Sequence, residues 1–409
     1  MYKVLSIFSL LISLLILQSC SDSLISPNQI QFRELTVSEK KLVQSDNTFS
    51  HKIFKKVVEA EPNQNILISP LSISMALGMT LNGANGTTFE AMQNTLEFQN
   101  LSLEEINQSY QSLIQLLSGA DPEVIFQLAN SVWYRNTMTF EQDFIEPVQT
   151  YFNASIQPLD FNDPNAKNII NQWVNQKTNG RINEIVDFID PTDVMFLINA
   201  IYFKGTWTYK FDLTLTYDDF FISPNGTRLP YKMMVQSGNF WYSANSDFQA
   251  VDLPYGNGNY RMAIFLPQPQ YHVDSLISQF NQQNWDAWLA NFSKENGTLE
   301  MPKFTLEYKI KLNDVLSALG MGIAFTGQAD FTRMYPPGNL FISRAKHKTF
   351  VKVDEEGTEA AAVTSIGISF TSTGGGFIMR VDRPFVFVIH EKHSKAILFM
   401  GKIVEPQLL

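Results

Sequence analysis

The sequence has one cysteine, Cys20, among its 409 residues, and it has no lysine or arginine between Lys56 and Arg135. A single thiol cannot form an internal disulfide, so a folded chain of this length must depend on its apolar core. The formal net charge is −10, and the stretch without lysine and arginine offers no basic surface for phosphate groups. Nucleic acid is therefore not an expected partner.

Catalytic motifs are missing as well. The sequence contains no G-x-S-x-G elbow and no P-loop, and Gly256-Asn257-Gly258 is not followed by the third glycine of a dinucleotide-binding turn. The segment His390-Glu391-Lys392-His393 is one residue short of a zinc-binding H-E-x-x-H motif. Its position in a strand and turn predicts a solvated hairpin tip. We expect a protein that is not an enzyme and that uses no metal and no cofactor.

The candidate membrane segment is an apolar run from Val4 to Leu17, which follows Met1-Tyr2-Lys3. The run is too short to span a bilayer with ordinary flanks, and it is typical of a signal peptide. It ends in Leu17-Gln18-Ser19-Cys20, which resembles a bacterial lipobox, where cleavage before the cysteine exposes a thiol and an amino terminus for acylation. An ordinary secretory signal with an incidental cysteine is the alternative.

These features divide the chain into three parts. We predict a signal peptide over residues 1–19, a lipidated flexible tether over residues 20–41 and a folded domain over residues 42–409. The domain is expected to be exported. Its lipid anchor would hold it at the outer membrane or cell surface, and without the anchor it would be secreted.

Helical spacing occurs mainly in the first half of the domain. Three segments predict helices: Phe49 to Val58, Ser72 to Thr80 and Ile169 to Val186. The first is expected to end at Glu61-Pro62 and the second near Gly83, while Gly180 closes the first part of the third.

Strand patterns occur later in the chain. Phe304 to Leu312 alternates apolar and polar residues and predicts a strand with one solvated face. Pro384 to Ile389 and Ala396 to Met400 are nearly continuous apolar runs joined by the polar turn Glu391 to Lys395, which predicts a hairpin covered on both faces. The sum is an α+β domain with large antiparallel sheets.

The segment from Val353 to Gly376 has an unusual composition for a loop. No charged residue occurs after Glu359 until Arg380, although exposed loops normally carry charge. Read with a period of two, one set is small and then apolar: Thr358, Ala360, Ala362, Thr364, Ile366 and Ile368. The other set is mostly small or polar: Glu359, Ala361, Val363, Ser365, Gly367 and Ser369. A loop with the pattern of a half-buried strand is predicted to join a sheet.

This segment resembles the reactive-centre loop and hinge of the serpin family, in which E-E-G-T-E-A-A-A-x-T precedes a bait bond. The resemblance extends in the family's order over nearly the whole predicted domain, through residues 65–72, 197–207, 252–255, 262–267, 301–304, 347–348, 383–385 and 399–403. It implies the serpin fold, an α+β architecture with three β-sheets, about nine helices and an exposed reactive-centre loop.

The resemblance also implies roles for particular residues. The hinge corresponds to Glu355, Glu356, Gly357, Thr358, Glu359, Ala360, Ala361 and Ala362. Counting from the hinge places the bait bond at Thr371-Ser372, and counting back from Pro384 moves it to about Thr373. The window therefore includes Ile368, Ser369 and Phe370. The polar cluster that controls sheet opening in the family corresponds to Ser69, Ser72, Asn199 and His347, with Trp207 as the aromatic residue at the top of the sheet.

In the family, a serine protease attacks the bait bond, forms an acyl-enzyme and is trapped when the cut loop inserts into the central sheet. The resemblance implies such a suicide inhibitor, with serine proteases as covalent partners and papain-like cysteine proteases as further targets. The bait window contains no lysine or arginine, which favours elastase-, subtilisin- or chymotrypsin-like targets. A monomer is expected. The alternatives are a non-inhibitory serpin that acts as a binding protein and an exported enzyme of unknown chemistry.

Overall fold

The protein is described by a computed structural model over residues 32–358 and 376–407. The predicted signal peptide, the predicted lipidation site Cys20 and the first part of the predicted tether lie outside the described residues. Residues 359–375, which contain the predicted bait bond, lie outside them too. No helix in the described ranges is long and apolar enough to cross a membrane.

Nine α-helical segments occur in the described ranges: α1 (Val37–Ala60), α2 (Pro70–Leu81), α3 (Gly86–Thr95), α4 (Leu103–Gly119), α5 (Gln142–Phe152), α6 (Ala166–Lys177), α7 (Val273–Ser278), α8 (Gln282–Asn291) and α9 (Asn313–Leu316). The first two predicted helices are confirmed as α1 and α2. The third prediction is correct only in part, because α6 ends at Lys177. Asn179 and Gly180 then adopt φ values of 48° and 80°, which a right-handed helix cannot continue through.

The start of α1 corrects the predicted domain boundary. The helix begins at Val37, so residues 37–41, which the sequence analysis assigned to the tether, belong to the folded body. Thr36 caps the helix: its hydroxyl accepts a hydrogen bond from the Glu39 amide, and the Glu39 carboxylate accepts one from the Thr36 amide at 2.7 Å. This capping box satisfies two amides of the first turn that the helix itself leaves unpaired.

The strands of the described ranges are β1 (Ile66–Ile68), β2 (Val124–Arg135), β3 (Ser155–Leu159), β4 (Met195–Thr206), β5 (Tyr217–Ile222), β6 (Arg228–Ala244), β7 (Phe248–Tyr255), β8 (Tyr260–Pro267), β9 (Ser293–Pro302), β10 (Phe304–Lys311), β11 (Lys346–Val353), β12 (Gly357–Thr358), β13 (Phe377–Arg380), β14 (Phe385–Glu391) and β15 (Ile397–Ile403). The predicted strand from Phe304 is confirmed as β10, with Glu307, Lys309 and Lys311 exposed. The predicted hairpin is confirmed as β14 and β15, and both strands are buried along their whole length.

These strands form two hydrogen-bonded sheets. The smaller sheet has the order β10-β11-β12-β4-β2-β3, and the larger has the order β1-β15-β14-β8-β7-β6-β9-β13, with β5 also paired to β6. The long strand β6 runs through two parts of the larger sheet: it pairs with β9 on one side, and on the other side with β5 through residues 228–233 and with β7 through residues 241–244. With these two parts counted separately, residues 32–358 and 376–407 form three sheets and nine helices, in agreement with the three sheets and about nine helices that the resemblance implied.

Two apolar clusters fill the space between the layers. The larger contains the buried residues of α1, α2 and both sheets, so the smaller sheet packs its inner face against α2. The smaller cluster lies between α6 and the outer face of β2 and β4, with Ile170, Val174 and Ile198 among its buried residues. The smaller sheet is therefore covered on both faces, and the positions along β4 alternate between the two clusters.

Candidate functional site

The predicted hinge begins inside the smaller sheet. Strand β12 lies between β4 and β11, and Thr358 is opposite Gly205 on one side and Val353 on the other. Gly357 is opposite Thr206. All pairings are antiparallel, so β4 and β11 run parallel to each other on either side of the hinge. The chain thus leaves β11, turns, and makes the first rung of a new central strand.

The rung formed by Gly357 and Thr358 is too tightly packed to accept larger side chains. Gly357 has a φ of 150°, and a β-carbon at this position would lie 2.1 Å from the carbonyl oxygen of Gly205. Only glycine fits there without movement of the backbone. Thr358 is 1% exposed, and its hydroxyl lies 2.6 Å from the hydroxyl of Tyr255. Burial raises the pKa of Tyr255, so its phenol stays protonated and available for this bond.

Two acidic residues of the hinge are tied to the surrounding body. The Glu355 carboxylate accepts hydrogen bonds from Lys303 at 2.9 Å and from Thr216 at 2.7 Å. Burial works to raise the pKa of Glu355, but these hydrogen bonds outweigh burial and the pKa is lowered. Glu356 forms an ion pair with Lys210 at 2.6 Å. The start of the hinge is therefore held in place before any insertion.

Trp207 lies at the same end of the sheet. Its indole nitrogen donates to the carbonyl of Asp354 at 2.9 Å, and its amide donates to the carbonyl of Glu356 at 2.9 Å. The indole stacks on the ring of Tyr255, with centroids 4.3 Å apart. Trp207 thus joins the end of β4 to the segment that enters the hinge, at the position predicted for the aromatic residue at the top of the sheet.

Below this rung the sheet has a gap in its ladder. Within the described residues, β4 and β11 have no backbone pairing with each other, and each is joined to β12 only at its upper end. A further strand inserted between β4 and β11 would hold them about 9.5 Å apart, which is twice the usual strand spacing. We call the space between residues 195–204 of β4 and 346–352 of β11 the slot. Both edges of the slot carry backbone groups that a further strand could pair with.

The predicted polar cluster lies beneath the slot. The amide of Ser69, which precedes α2, donates to Nε2 of His347 at 2.9 Å, and the Ser69 hydroxyl donates to the carbonyl of Leu398 at 2.7 Å. The Ser72 hydroxyl donates to the side-chain oxygen of Asn199. The N-terminus of α2 therefore bonds to β11 through one serine and to β4 through the other. Burial lowers the pKa of His347 to about 3, so its ring is neutral and can accept the Ser69 amide.

The described residues include only part of the predicted site. Glu355 to Thr358, the polar cluster and Trp207 are described, while Glu359 to Ala362 of the hinge lie outside the described ranges. The same is true of the predicted bait bond Thr371-Ser372 and of its window Ile368, Ser369, Phe370 and Thr373.

Residues 44–406 match the model of the family described as serpin, serine protease inhibitor. The chain belongs to the serpin family. A serpin-like protein of Thermococcus kodakarensis that is described as uncharacterised is 32% identical over 374 residues, which covers 90% of this chain and 87% of that protein.

Solved structures share the architecture. The native state of tengpin, a thermophilic serpin, has a TM-score of 0.82 and 32% sequence identity, and the match covers 92% of this serpin and 96% of tengpin. Human thyroxine-binding globulin, in a crystal structure of its complex with the hormone, has a TM-score of 0.84 and 27% identity, covering 91% of this serpin and 100% of the globulin. The fold is thus shared with a thermophilic serpin and with a thyroxine-binding globulin.

One prediction about the serpin's surface is wrong. His390 and Glu391 are 2% and 0% exposed, although the sequence analysis placed them in a solvated hairpin tip. The reason is that β14 continues to Glu391, which is paired with Tyr260 of β8. The Glu391 carboxylate accepts hydrogen bonds from the amides of His393 and Ser394 at 2.7 and 2.6 Å. These bonds stabilise the turn between β14 and β15. No group of three or more possible metal ligands occurs in residues 32–358 and 376–407.

Sequence reasoning missed several residues that hold the hinge of this serpin. Tyr255, Gly205 and Lys303 all contact residues 355–358. Tyr255 belongs to a segment that carried the family resemblance, but nothing in its neighbours indicates that its hydroxyl meets Thr358. Such contacts between distant parts of the chain require the register of three strands to be known.

Proposed function

We propose that this serpin inhibits serine proteases as a suicide substrate. The protease cuts the reactive-centre loop, forms an acyl-enzyme, and is trapped as the cut loop inserts into the slot between β4 and β11. The observation that carries the proposal is the buried rung formed by Gly357 and Thr358 between these strands. The hinge has already begun the strand that insertion would complete.

The register of this rung predicts where later residues would go. Thr358 is opposite Gly205 and Val353, and an antiparallel ladder steps down one residue on each strand. In the inserted form Ala362 would therefore lie between Ile201 and Thr349.

Two rungs further down have matching chemistry. Thr364 would lie between Asn199 and His347, the two strand members of the polar cluster. Ile366 would lie between Leu197 and Ala345, which line a cavity above α2. Thr364 would thus have polar neighbours and Ile366 would fill the cavity. Stable insertion requires both, because an unpaired buried polar group and an empty cavity each cost free energy.

Insertion is expected to be strongly favourable. On the order of ten new backbone hydrogen bonds would form, at about 0.5–1.5 kcal/mol each. Burial of Ile366 and Ile368 adds about 1.5–3 kcal/mol for each side chain. The entropy lost on ordering the loop opposes these gains, but the sum supports an effectively irreversible step.

The residues of the bait window favour target proteases with apolar or small specificity pockets. It contains Thr371, Ser369 and Ile368, which suit elastase- and subtilisin-like enzymes, and Phe370, which suits chymotrypsin-like enzymes. The absence of lysine and arginine there disfavours trypsin-like enzymes. Papain-like cysteine proteases are included as further targets because they also form acyl-enzymes.

The test is incubation with pancreatic elastase and, separately, with chymotrypsin, followed by a denaturing gel and by thermal unfolding of the nicked protein. We expect a covalent complex that survives denaturation, and a nicked form whose melting temperature is higher than that of the intact form. Complete cleavage without any complex, together with an unchanged melting temperature, would rule the inhibitor out.

A second candidate is a non-inhibitory serpin that acts as a binding protein. The observation in its favour is the similarity to human thyroxine-binding globulin and, at 30% identity, to corticosteroid-binding globulin of Pongo abelii. Non-inhibitory members of the family tend to carry bulky or charged hinge residues, whereas this hinge has Gly357, Thr358 and three alanines at 360–362. The same incubation distinguishes the two functions, because a binding protein of this kind would give no covalent complex.

We propose export and lipid anchoring through Cys20 on the basis of the apolar N-terminal run and the segment Leu17 to Cys20. The protein would act as a monomer. Labelling of growing cells with a radioactive fatty acid should mark the wild-type protein and not a Cys20→Ala variant. Equal labelling of both would exclude acylation at this cysteine.

A further inference from the structure

The lower end of the slot is closed by a buried side-chain contact. Asp193, two residues before β4, is 1% exposed. One oxygen of its carboxylate accepts a hydrogen bond from the Ser343 hydroxyl at 2.9 Å, and the other forms an ion pair with the guanidinium of Arg344. Ser343 and Arg344 precede β11. The contact therefore joins the beginnings of the two strands that border the slot.

Asp193 is held firmly on the β4 side. Its carbonyl oxygen accepts hydrogen bonds from the guanidinium of Arg135, at the end of β2, at 3.1 and 2.9 Å. Its carboxylate also accepts the Asp190 amide at 2.7 Å. Asp193 thus moves with β2, to which Arg135 bonds it, and with β4, which begins two residues later in the chain.

The other members of the contact are held on the β10 side. The carbonyl of Ser343 accepts from the Asn313 side chain at 3.1 Å, and the carbonyl of Ala345 accepts from the amide of Leu312 at 2.8 Å. Arg344 also packs its guanidinium over the ring of Phe188 at 4.3 Å, and because Phe188 precedes β4 this contact crosses to the other half of the sheet. The bonds from Asp193 to Ser343 and Arg344 therefore cross from one half of the smaller sheet to the other. We call these three residues the clamp.

A second contact joins the two halves of the smaller sheet in the same region. Asp187, in the segment between α6 and β4, pairs with Lys309 of β10 and with Lys346 of β11, the latter at 2.8 Å. Hydrogen bonds from the two lysines hold the pKa of Asp187 well below its usual range. Asp187 is partly exposed, whereas Asp193 is buried. Because a buried ion pair costs more to break than an exposed one, we assign the main resistance to strand separation to the clamp.

The register of the hinge rung predicts the point at which loop insertion would break the clamp. In the register set by Thr358, loop residue 368 would lie between Met195 and Ser343. A strand at that level would separate the flanking backbones to about 9.5 Å, and the 2.9 Å bond from Ser343 to Asp193 could not span it. Insertion down to Ile366 leaves the clamp closed, and insertion beyond it opens the clamp.

We propose that Asp193, Ser343 and Arg344 control the last rungs of loop insertion, and that the clamp must break before a trapped protease reaches the far end of the sheet. This inference rests on the proposed inhibitory function. The clamp is made only in the uninserted molecule. It therefore stabilises the intact form and slows insertion, while contributing nothing to the final inserted form.

The test compares Ser343→Ala and Asp193→Asn with the wild type and with a matched control, Glu307→Gln. Glu307 pairs with Lys348 at 2.5 Å, and both residues lie on the same side of the slot. The loop of each protein is nicked with pancreatic elastase, and insertion is followed by the tryptophan fluorescence, to which Trp207 contributes, and by the melting temperature. Intact and nicked forms are both measured.

We expect each clamp variant to insert about two- to tenfold faster than the wild type, as the loss of one hydrogen bond predicts. We also expect a lower melting temperature for the intact form and an unchanged one for the nicked form, with Glu307→Gln showing no faster insertion. Equal destabilisation of intact and nicked forms, or an unchanged insertion rate, overturns the clamp and leaves the inhibitor proposal intact. A wild-type protein that gains no stability on nicking overturns the proposed function itself, and the role of the clamp with it.

Discussion

The hydroxyl groups of Tyr255 and Thr358 lie 2.6 Å apart in the buried core and share a hydrogen bond. Tyr255 belongs to β7 in the larger sheet, whereas Thr358 is the last described residue before the reactive-centre loop. The ring of Tyr255 is itself held by stacking on Trp207. The bond thus connects the two sheets at the level of β12, whose pairing sets the register of the proposed insertion.

In the proposed mechanism, a charge at this rung should convert the protein from an inhibitor into a substrate. In Thr358→Arg a guanidinium would have to enter the buried site of Thr358 without a partner, at a cost of several kcal/mol. We expect loss of the denaturation-resistant protease complex and a matching gain of cleaved protein on a gel. Thr358→Val is the control, because it keeps the shape and should retain most of the complex. A full yield of complex from Thr358→Arg would contradict the mechanism.

The close approach of Gly357 to Gly205 gives a second prediction. In Gly357→Ala the new β-carbon would meet the Gly205 carbonyl at 2.1 Å, at a φ of 150°, so the rung must shift. We expect a loss of about 1–3 kcal/mol in the free energy of unfolding of the intact form. Gly119→Ala is the matched control, since a β-carbon there meets nothing within 4 Å. Equal unfolding curves for the two variants would show that the rung tolerates a side chain.

Stability should fall in mild acid because of His347. Its folded-state pKa of about 3 lies below the ordinary value of 6.5, so its contribution is fully present above pH 6.5 and is lost as the pH falls towards 3. Between pH 7.5 and pH 5 the loss is about 2 kcal/mol for each such histidine. Urea unfolding of His347→Gln should show a shallower decline over this range. His272→Gln, at an exposed position, should decline like the wild type, and an unchanged decline in His347→Gln would refute the assignment.

Asp46 has the opposite pH dependence. It is buried beside Ser74 and Tyr110, which lie 2.5 and 2.8 Å from one carboxylate oxygen, and burial raises its pKa to about 7. The folded-state pKa exceeds the ordinary value of 3.8, so stability is greatest below pH 3.8 and is lost as the pH rises through 7.

The loss between pH 5 and pH 8 is about 3 kcal/mol, and Asp46→Asn should lack it. Unfolding free energies measured at both pH values test this, with Asp143→Asn, an exposed carboxylate of α5, as the control. An Asp46→Asn variant that destabilises between pH 5 and pH 8 as much as the wild type would place the titration elsewhere.

Local patterns in the sequence were enough to predict many elements. The alternation from Phe304 and the apolar runs from Pro384 and Ala396 correspond to β10, β14 and β15. These predictions succeeded because each depends on the period of side chains along one strand. The end of α6 and the start of α1 were misplaced, since capping by residues such as Thr36 is a weaker signal than an apolar face.

Some features of the site were likewise predictable from the sequence, and others were not. The order of small and apolar residues from Thr358 onward is a property of the sequence, and so is the family resemblance of the hinge. The burial of His390 and Glu391 was missed, because it depends on how far β14 pairs with β8. No local pattern contains that information.

The sequence by itself determined which segment has the pattern of a half-buried strand, which residues correspond to a serpin hinge, and to which family the chain is similar. Only the tertiary structure decided that Gly357 meets Gly205, that Tyr255 bonds to Thr358, and that Asp193 crosses to Ser343. The physical reason is that periodicity along a strand is a local property of the chain. The partner of each side chain depends instead on the register between strands that are more than a hundred residues apart in sequence.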